Sequence, residues 1–326
     1  MNNPCNSDDK FLIFSGSSNE LLANKIVTHL GKNLGNCNSG VFSDGEIRFQ
    51  SCENVRGADV FVIQSLTQDI NFHIMQLLLM ADAFKRASAR RITAVIPYYA
   101  YARQDRKDRP RVPISAKLLA DLLETAGFSR LLTIDLHANQ IQGFFNVPVD
   151  NLMGLPIFIN HFKNQPDLNP EQLVVVSPDA GGVERARLFS QALQARLAMA
   201  YKRRPEPGIA KIMQIIGDVE GRDCLIVDDI IDSAGTLVET VRNLKEKGAR
   251  KVSAVCTHGI LSGPAMERIE AAPLEKVYIS DSVPLIGSKA DCKKIEILSV
   301  AALFAQAINS IHEESSVSQL FVIDKG

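Results

Sequence analysis

The chain lacks any long apolar run. Its best candidate, Ile74 to Ala81, is broken by Gln76 and falls well short of the ~20 apolar residues that a helix needs to cross a bilayer. No membrane partner is expected. An excess of one charge is missing too. Lys and Arg number 36 against 37 Asp and Glu, so no global field draws the chain to nucleic acid or to anionic lipid. Cysteines are few and scattered (Cys5, Cys37, Cys52, Cys224, Cys256, Cys292), with no CxxC pair. That spacing argues against a structural zinc site and for free thiols in a reducing cytosol. The opening MNNPCNSDDK has neither a basic nor an apolar signal region, so a cytoplasmic location is expected. No GxxxxGK[ST] occurs; ATP, if used, is not held by a P-loop.

What is present is a globular composition. Hydrophobic residues make up 46% of 326, enough for two cored domains of about 150 residues each. The most informative stretch is CLIVDDIIDSAGTL, Cys224 to Leu237. Leu225, Ile226 and Val227 predict a buried strand that ends at the adjacent carboxylates Asp228 and Asp229. A turn of small residues follows (Asp232, Ser233, Ala234, Gly235, Thr236), with a helix from Leu237. A strand, a small-residue turn and a helix start form a good anion site, because backbone N–H groups and the helix dipole face the ligand. Two carboxylates would repel a phosphate, so they suit sugar hydroxyls or a bridging metal ion. The plainer reading is a βα turn in which Asp232 or Ser233 caps the helix.

The chain also repeats itself once. Asp59 to Pro97 and Asp223 to Thr257 each read strand, turn, helix, basic corner and strand, and the corners ARRITAV and ARKVSAV nearly coincide. Two similar α/β domains with parallel sheets are expected. Pro148, Gly154 and Pro156 make 146–156 a candidate linker, which places the domains at 1–153 and 154–326. A helix is expected over Val300 to Ile311, and SSVSQLFVID after it could add an edge strand on either domain.

Five further stretches are candidates for chemistry. FSDGEIR, with Phe42, Asp44, Gly45 and Glu46, reads first as a hairpin turn at Asp-Gly. YYAYARQDRKDRPR, with Arg103 and Gln104, follows the strand ITAVIP. Its cations suit a polyphosphate at the carboxyl end of a parallel strand, or a solvated loop. LLTIDLHANQ is a buried strand ending at Asp135 or Leu136. His137 after it could be a metal ligand, a general base or simply a hydrogen-bonding residue. VVVSPDAGGVERAR repeats the construction, with Asp179 at a strand end and Gly181-Gly182 opening a helix, either for close ligand approach or as an ordinary turn. Finally, KRRPEPG (Lys202 to Gly208) suggests a cationic flap over developing charge, or a solvated basic loop.

The VDDIIDSAGT stretch resembles the phosphoribosyl-diphosphate loop of the type I phosphoribosyltransferase-like family. With FSDGE, NVRG, IPYYAYARQDRK, RVPISAK, DLHANQIQGFF, PVDNL, VVSPDAGGVERAR, KRRP and GDVEGRDC in this order, the chain from about Phe11 to Phe321 resembles the class I ribose-phosphate pyrophosphokinase family. Ser233 and Ala234 replace the family's usual Thr and Gly, Asp108 is an acid within the basic loop, and the tail carries one extra residue.

The resemblance implies two similar doubly wound parallel-sheet domains. It also implies transfer of the β,γ-diphosphoryl group of ATP to the 1-hydroxyl of ribose 5-phosphate, with magnesium. Phe42, Asp44, Gly45, Glu46, Arg103 and Gln104 would then serve ATP. His137 and Asp179 would be associated with the metal, and Lys202 and Arg204 would be catalytic. Asp228, Asp229, Asp232, Ser233, Ala234, Gly235, Thr236 and Arg204 would hold ribose 5-phosphate. Asn54 and Arg56 would be regulatory, with inorganic phosphate and ADP as effectors of a homo-oligomer, a hexamer. The rival readings are a phosphoribosyltransferase, a non-catalytic regulatory subunit and a purine-responsive transcription regulator. No helix-turn-helix or basic domain supports the last.

Overall fold

The computed structural model describes residues 10–203 and 212–321. They gather into two compact units, one of residues up to 153 with 301–321 and the other of 154–300.

The first unit runs β1 (Phe11–Ser15), α1 (Glu20–His29), a hairpin of β2 (Cys37–Val41) and β3 (Ile47–Ser51), β4 (Asp59–Ile63), α2 (Ile70–Arg86), β5 (Arg91–Ile96), α3 (Ser115–Ala126), β6 (Arg130–Ile134) and β7 (Val149–Leu152). Five strands form a parallel sheet in the order β1-β4-β5-β6-β7. DVFVI of β4 is buried at every residue, as a parallel strand covered on both faces requires.

The second unit runs α4 (Leu155–Lys163), β8 (Leu173–Ser177), α5 (Val183–Ala192), β9 (Arg196–Arg203), β10 (Ile212–Ile216), β11 (Asp223–Ile231), α6 (Gly235–Glu246), β12 (Lys251–Gly259), α7 (Ala265–Ala271), β13 (Val277–Ser280) and β14 (Ile295–Leu298). The sheet order is β10-β9-β8-β11-β12-β13-β14, parallel except for β9 with β10. From β8 the chain leaves one way to β9 and β10, then crosses back to β11. Loops at the carboxyl ends of β8 and β11 therefore diverge, which opens the crevice where such sheets take ligands. Leu237, Val238, Val241 and Leu244 of α6 close the core on one face. The last helix, α8 (Ala301–His312), groups with the first unit and packs on α1.

Three expectations change. The segment 146–156 is no linker, because Val149–Leu152 pairs in parallel with β6 as β7, and Leu155 opens α4. β11 does not stop at the carboxylates but runs through them to Ile231, whose side chain joins the core. The tail forms a 3-10 turn at Ser318–Phe321 instead of a strand, and residues from 322 lie outside the described ones.

The repeat is visible bond by bond. In the first unit Gly57 N–H donates to Ser88 O (2.8 Å), Ala89 N–H to Phe84 O (3.0 Å) and Arg90 N–H to Ala58 O (2.8 Å). In the second, Gly221 donates to Gly248 (2.9 Å), Ala249 to Leu244 (3.0 Å) and Arg250 to Arg222 (2.7 Å).

Candidate active site

In the second unit the anion site is built as follows. Ala234 occupies the cap position of α6 in the left-handed conformation (φ 57°), and no side chain caps the helix there. The first turn of α6 carries no acid, so the positive end of the dipole is not offset by a side chain. Asp232 is held by Ser262, whose hydroxyl donates to its Oδ1 and whose N–H donates to its carbonyl at 3.0 Å. Arg268 Nη1 donates to Ser233 O at 2.8 Å, which fixes the turn from outside and adds a cation beside it. Ser233 and Thr236 are exposed, while Gly235 is half-buried.

Asp228 and Asp229 stand two residues before the end of β11. Asp229 is nearly buried and Asp228 partly so. Arg185, in the first turn of α5, donates from Nη1 to Asp229 Oδ1 at 3.2 Å and lies 3.9 Å from Asp228 Oδ1. Burial, then the hydrogen bond and charge of Asp229, push the Asp228 carboxyl well above the ordinary carboxylate range, and Arg185 opposes the shift. Asp179 follows β8, the strand beside β11. Its Oδ1 accepts from Gly182 N–H at 3.0 Å, so the Gly-rich turn is ordinary in form. The carboxylate is exposed at the sheet's carboxyl edge. Lys202 lies on β9 in register with Met213. Arg204 lies outside the described residues.

In the first unit the basic loop follows β5. Tyr98 and Tyr99 are its buried roots, with the Tyr99 hydroxyl donating to Ala116 O at 3.0 Å. Arg103 and Gln104 are exposed beyond them, and Gln104 Oε1 accepts from the Ser115 hydroxyl. The next strand, β6, ends at Ile134 because Asp135 turns left-handed (φ 43°). Exposed His137 follows. Gln140 Nε2 donates to Asp105 Oδ2 at 2.6 Å and links these two carboxyl-end loops. Phe42, Asp44, Gly45 and Glu46 form the tip of the β2–β3 hairpin. Phe42 N–H donates to Glu46 O (2.8 Å), Gly45 adopts φ 96°, and Asp44 Oδ1 accepts from Glu46 N–H (3.1 Å). Asn54 and Arg56 sit at the opposite, amino edge of the sheet, where Arg56 Nη1 donates to Ser88 Oγ at 3.2 Å.

Sequence reasoning missed Arg185 and Arg268. Each reaches its partner across a sheet or loop boundary. The one available signal was an arginine in the first turn after a strand bordering the acidic pair.

Two family models match the chain. Residues 11–127 match the N-terminal domain of ribose phosphate pyrophosphokinase, and residues 198–322 the phosphoribosyl synthetase-associated domain. A ribose-phosphate pyrophosphokinase of Staphylococcus epidermidis is 52% identical over 309 residues, which is 95% of this chain and 96% of that protein. One from Clostridium acetobutylicum is 53% identical over the same shares. The crystal structure of phosphoribosylpyrophosphate synthetase from Mycobacterium smegmatis superposes with a TM-score of 0.89 at 38% identity, over 94% of this chain and all of that one.

Proposed function

The chain belongs to the ribose-phosphate pyrophosphokinase family, and from that premise we infer that it makes 5-phosphoribosyl 1-diphosphate and AMP from ATP and ribose 5-phosphate. The ribose 1-hydroxyl oxygen bonds to the β-phosphorus, the bond from that phosphorus to the AMP oxygen breaks, and the hydroxyl proton is released. The product's diphosphate leaving group suits it to nucleotide biosynthesis.

The observation that carries the site assignment is the uncapped amino end of α6 beside the acidic pair of β11. A 5-phosphate at Asp232 to Thr236 would take N–H groups of the turn and the helix start, and Asp228 and Asp229 would accept from the ribose hydroxyls. We assign Phe42, Asp44, Gly45, Glu46, Arg103 and Gln104 to ATP. Lys202 and Arg204 are assigned to charge on the transferring group, with Arg204 also reaching ribose 5-phosphate. Phosphoryl-type transfer asks little covalent work of a protein, so alignment and charge stabilisation are its whole contribution. Diphosphoryl transfer needs a site for ATP as well as one for the sugar, which favours a synthetase over a phosphoribosyltransferase.

Magnesium is the proposed cofactor. It neutralises and orients a polyphosphate through few protein ligands and several waters. Asp179 fits that need, as an exposed carboxylate at a carboxyl-end loop. His137 is a softer donor, better suited to the ion's water shell. We further propose a cytoplasmic homo-hexamer, with inorganic phosphate and ADP as effectors and Asn54 and Arg56 in the regulatory site.

Phosphorus NMR of the protein with ATP, ribose 5-phosphate, magnesium and phosphate tests the reading. AMP with a new sugar-linked diphosphate signal supports it. ADP with a sugar monophosphate would mean an ordinary kinase, and no turnover would move the assignment to a regulatory subunit.

A further inference from the structure

β8 and β11 are parallel neighbours, with Val176 opposite Ile226. The helix that follows β8 therefore starts beside the carboxyl end of β11. Arg185 is the third residue of that helix. Its guanidinium reaches both carboxylates of the adjacent strand, 3.2 Å from Asp229 and 3.9 Å from Asp228, with about a quarter of its own side chain exposed. We infer that Arg185 is a positioning residue, which holds Asp229 in place beside Asp228 and favours the ionised pair that accepts from two sugar hydroxyls. The inference rests on the reading of this pair as the ribose contact.

An ionised carboxylate only accepts hydrogen bonds, whereas a protonated one donates. Two adjacent, partly buried carboxylates repel, which favours a proton on one of them donated to the other, and a nearby cation opposes that uptake. Where the proton is taken up, a hydroxyl of the sugar finds an acceptor lost. Asp229 N–H already holds Asp228 Oδ1 at 2.9 Å, so the backbone fixes that oxygen and the guanidinium holds Asp229 Oδ1 beside it. Among the described residues a further titratable neighbour is Cys256 on β12, in register with Asp228. Burial and then Asp228 keep its thiol protonated, so it adds no charge. Arg185 is thus the cation drawn to the pair from α5, and a lysine, with one point charge and no planar fork, would replace it only in part.

The test uses full-length protein with magnesium. Wild-type turnover to AMP and a sugar diphosphate decides the family reading by itself. Given that turnover, Arg185→Met is expected to raise KM for ribose 5-phosphate by about tenfold or more, the scale of a lost charge-assisted hydrogen bond. KM for ATP should stay within about twofold, and Arg185→Lys should recover most of the loss. The ribose 5-phosphate KM of Arg185→Met should also fall more steeply with rising pH than that of the wild type. An equal rise in both KM values, or an unchanged ribose 5-phosphate KM, would overturn the inference. If Arg185→Met does not fold, Arg185→Lys is measured with and without Asp229→Asn. Its effect on ribose 5-phosphate should vanish once residue 229 is neutral; additive losses would refute the role.

Discussion

Asp59 and His312 are 253 residues apart and are joined by a 3.0 Å hydrogen bond from His312 Nδ1 to Asp59 Oδ2. The Asp59 side chain is fully buried. It also accepts from Arg91 Nε at 2.9 Å, and Arg91 Nη2 donates to Ile311 O at 3.1 Å. One carboxylate thus ties α8 to the first sheet, while the His312 ring stacks on Phe11 at 4.3 Å. The repeated corner of the second unit has a counterpart, Arg250 Nε to Asp223 Oδ1 at 2.7 Å, but there the side chains are 55% and 30% exposed.

Burial should decide what these two pairs contribute. Asp59→Ala leaves Arg91 and His312 without their buried acceptor and should lower the unfolding free energy by about 3 kcal/mol or more. Asp223→Ala removes a solvated pair and should cost about 1 kcal/mol or less. Urea unfolding of both variants checks the contrast, and equal losses would show that the corners are energetically alike.

The same corner holds Ser88 in the first unit and Gly248 in the second, at φ 65° and 84°. Gly248→Ala would put a side chain in the left-handed region with its Cβ 3.2 Å from Glu220 Cγ. A loss of about 1 kcal/mol is expected, because the strain exceeds the entropy that alanine removes from the unfolded chain. A melting temperature at or above the wild-type value would contradict this.

Where the chemistry was local, the sequence carried it. The run Leu225 to Val227 and the small-residue turn were legible because apolar content and side-chain size act within a few residues. The end of β11 was not. Ile230 and Ile231 extend the strand past its carboxylates, and only the pairing with His258 and Gly259 on β12 shows it. Tyr98 and Tyr99 looked like part of a charged loop, yet they are its anchors in the core. The segment holding β7 reads as a linker because Pro148, Gly154 and Pro156 flank it, and partnership with β6 outweighs those breakers. Arg185 is invisible in the sequence because its partner Asp229 lies 44 residues away, and no periodicity encodes a contact between one strand's helix and the next strand.

Lys202 sits at a register position on β9 and is the first residue of KRRPEPG. If it stabilises charge on the transferring diphosphoryl group, Lys202→Ala should lower kcat by on the order of 10²–10⁴, as for other cationic transition-state groups. Steady-state kinetics at saturating ATP and ribose 5-phosphate measure this. A loss below about tenfold would remove Lys202 from the catalytic role.

Asp228 links stability to function through pH. Its folded-state carboxyl is pushed well above the ordinary range, by burial first and by Asp229 next. The folded ligand-free protein therefore holds a proton that the unfolded chain gives up at lower pH. Stability from this group is present below the ordinary carboxylate pKa and is lost as pH rises through the raised one. Ribose 5-phosphate has the opposite preference, since its hydroxyls need ionised acceptors. KM for ribose 5-phosphate should fall as pH rises through the same window, while the ligand-free melting temperature drops. Asp228→Asn removes the titrating group. It should raise KM for ribose 5-phosphate by about tenfold, flatten its dependence on pH, and leave the ligand-free protein more stable than wild type at neutral pH. Kinetics and thermal melts over a pH series test both halves together. Unchanged kinetics for ribose 5-phosphate in Asp228→Asn would separate this carboxylate from the sugar, and a neutral-pH melting temperature below wild type would mean that its charge stabilises the fold.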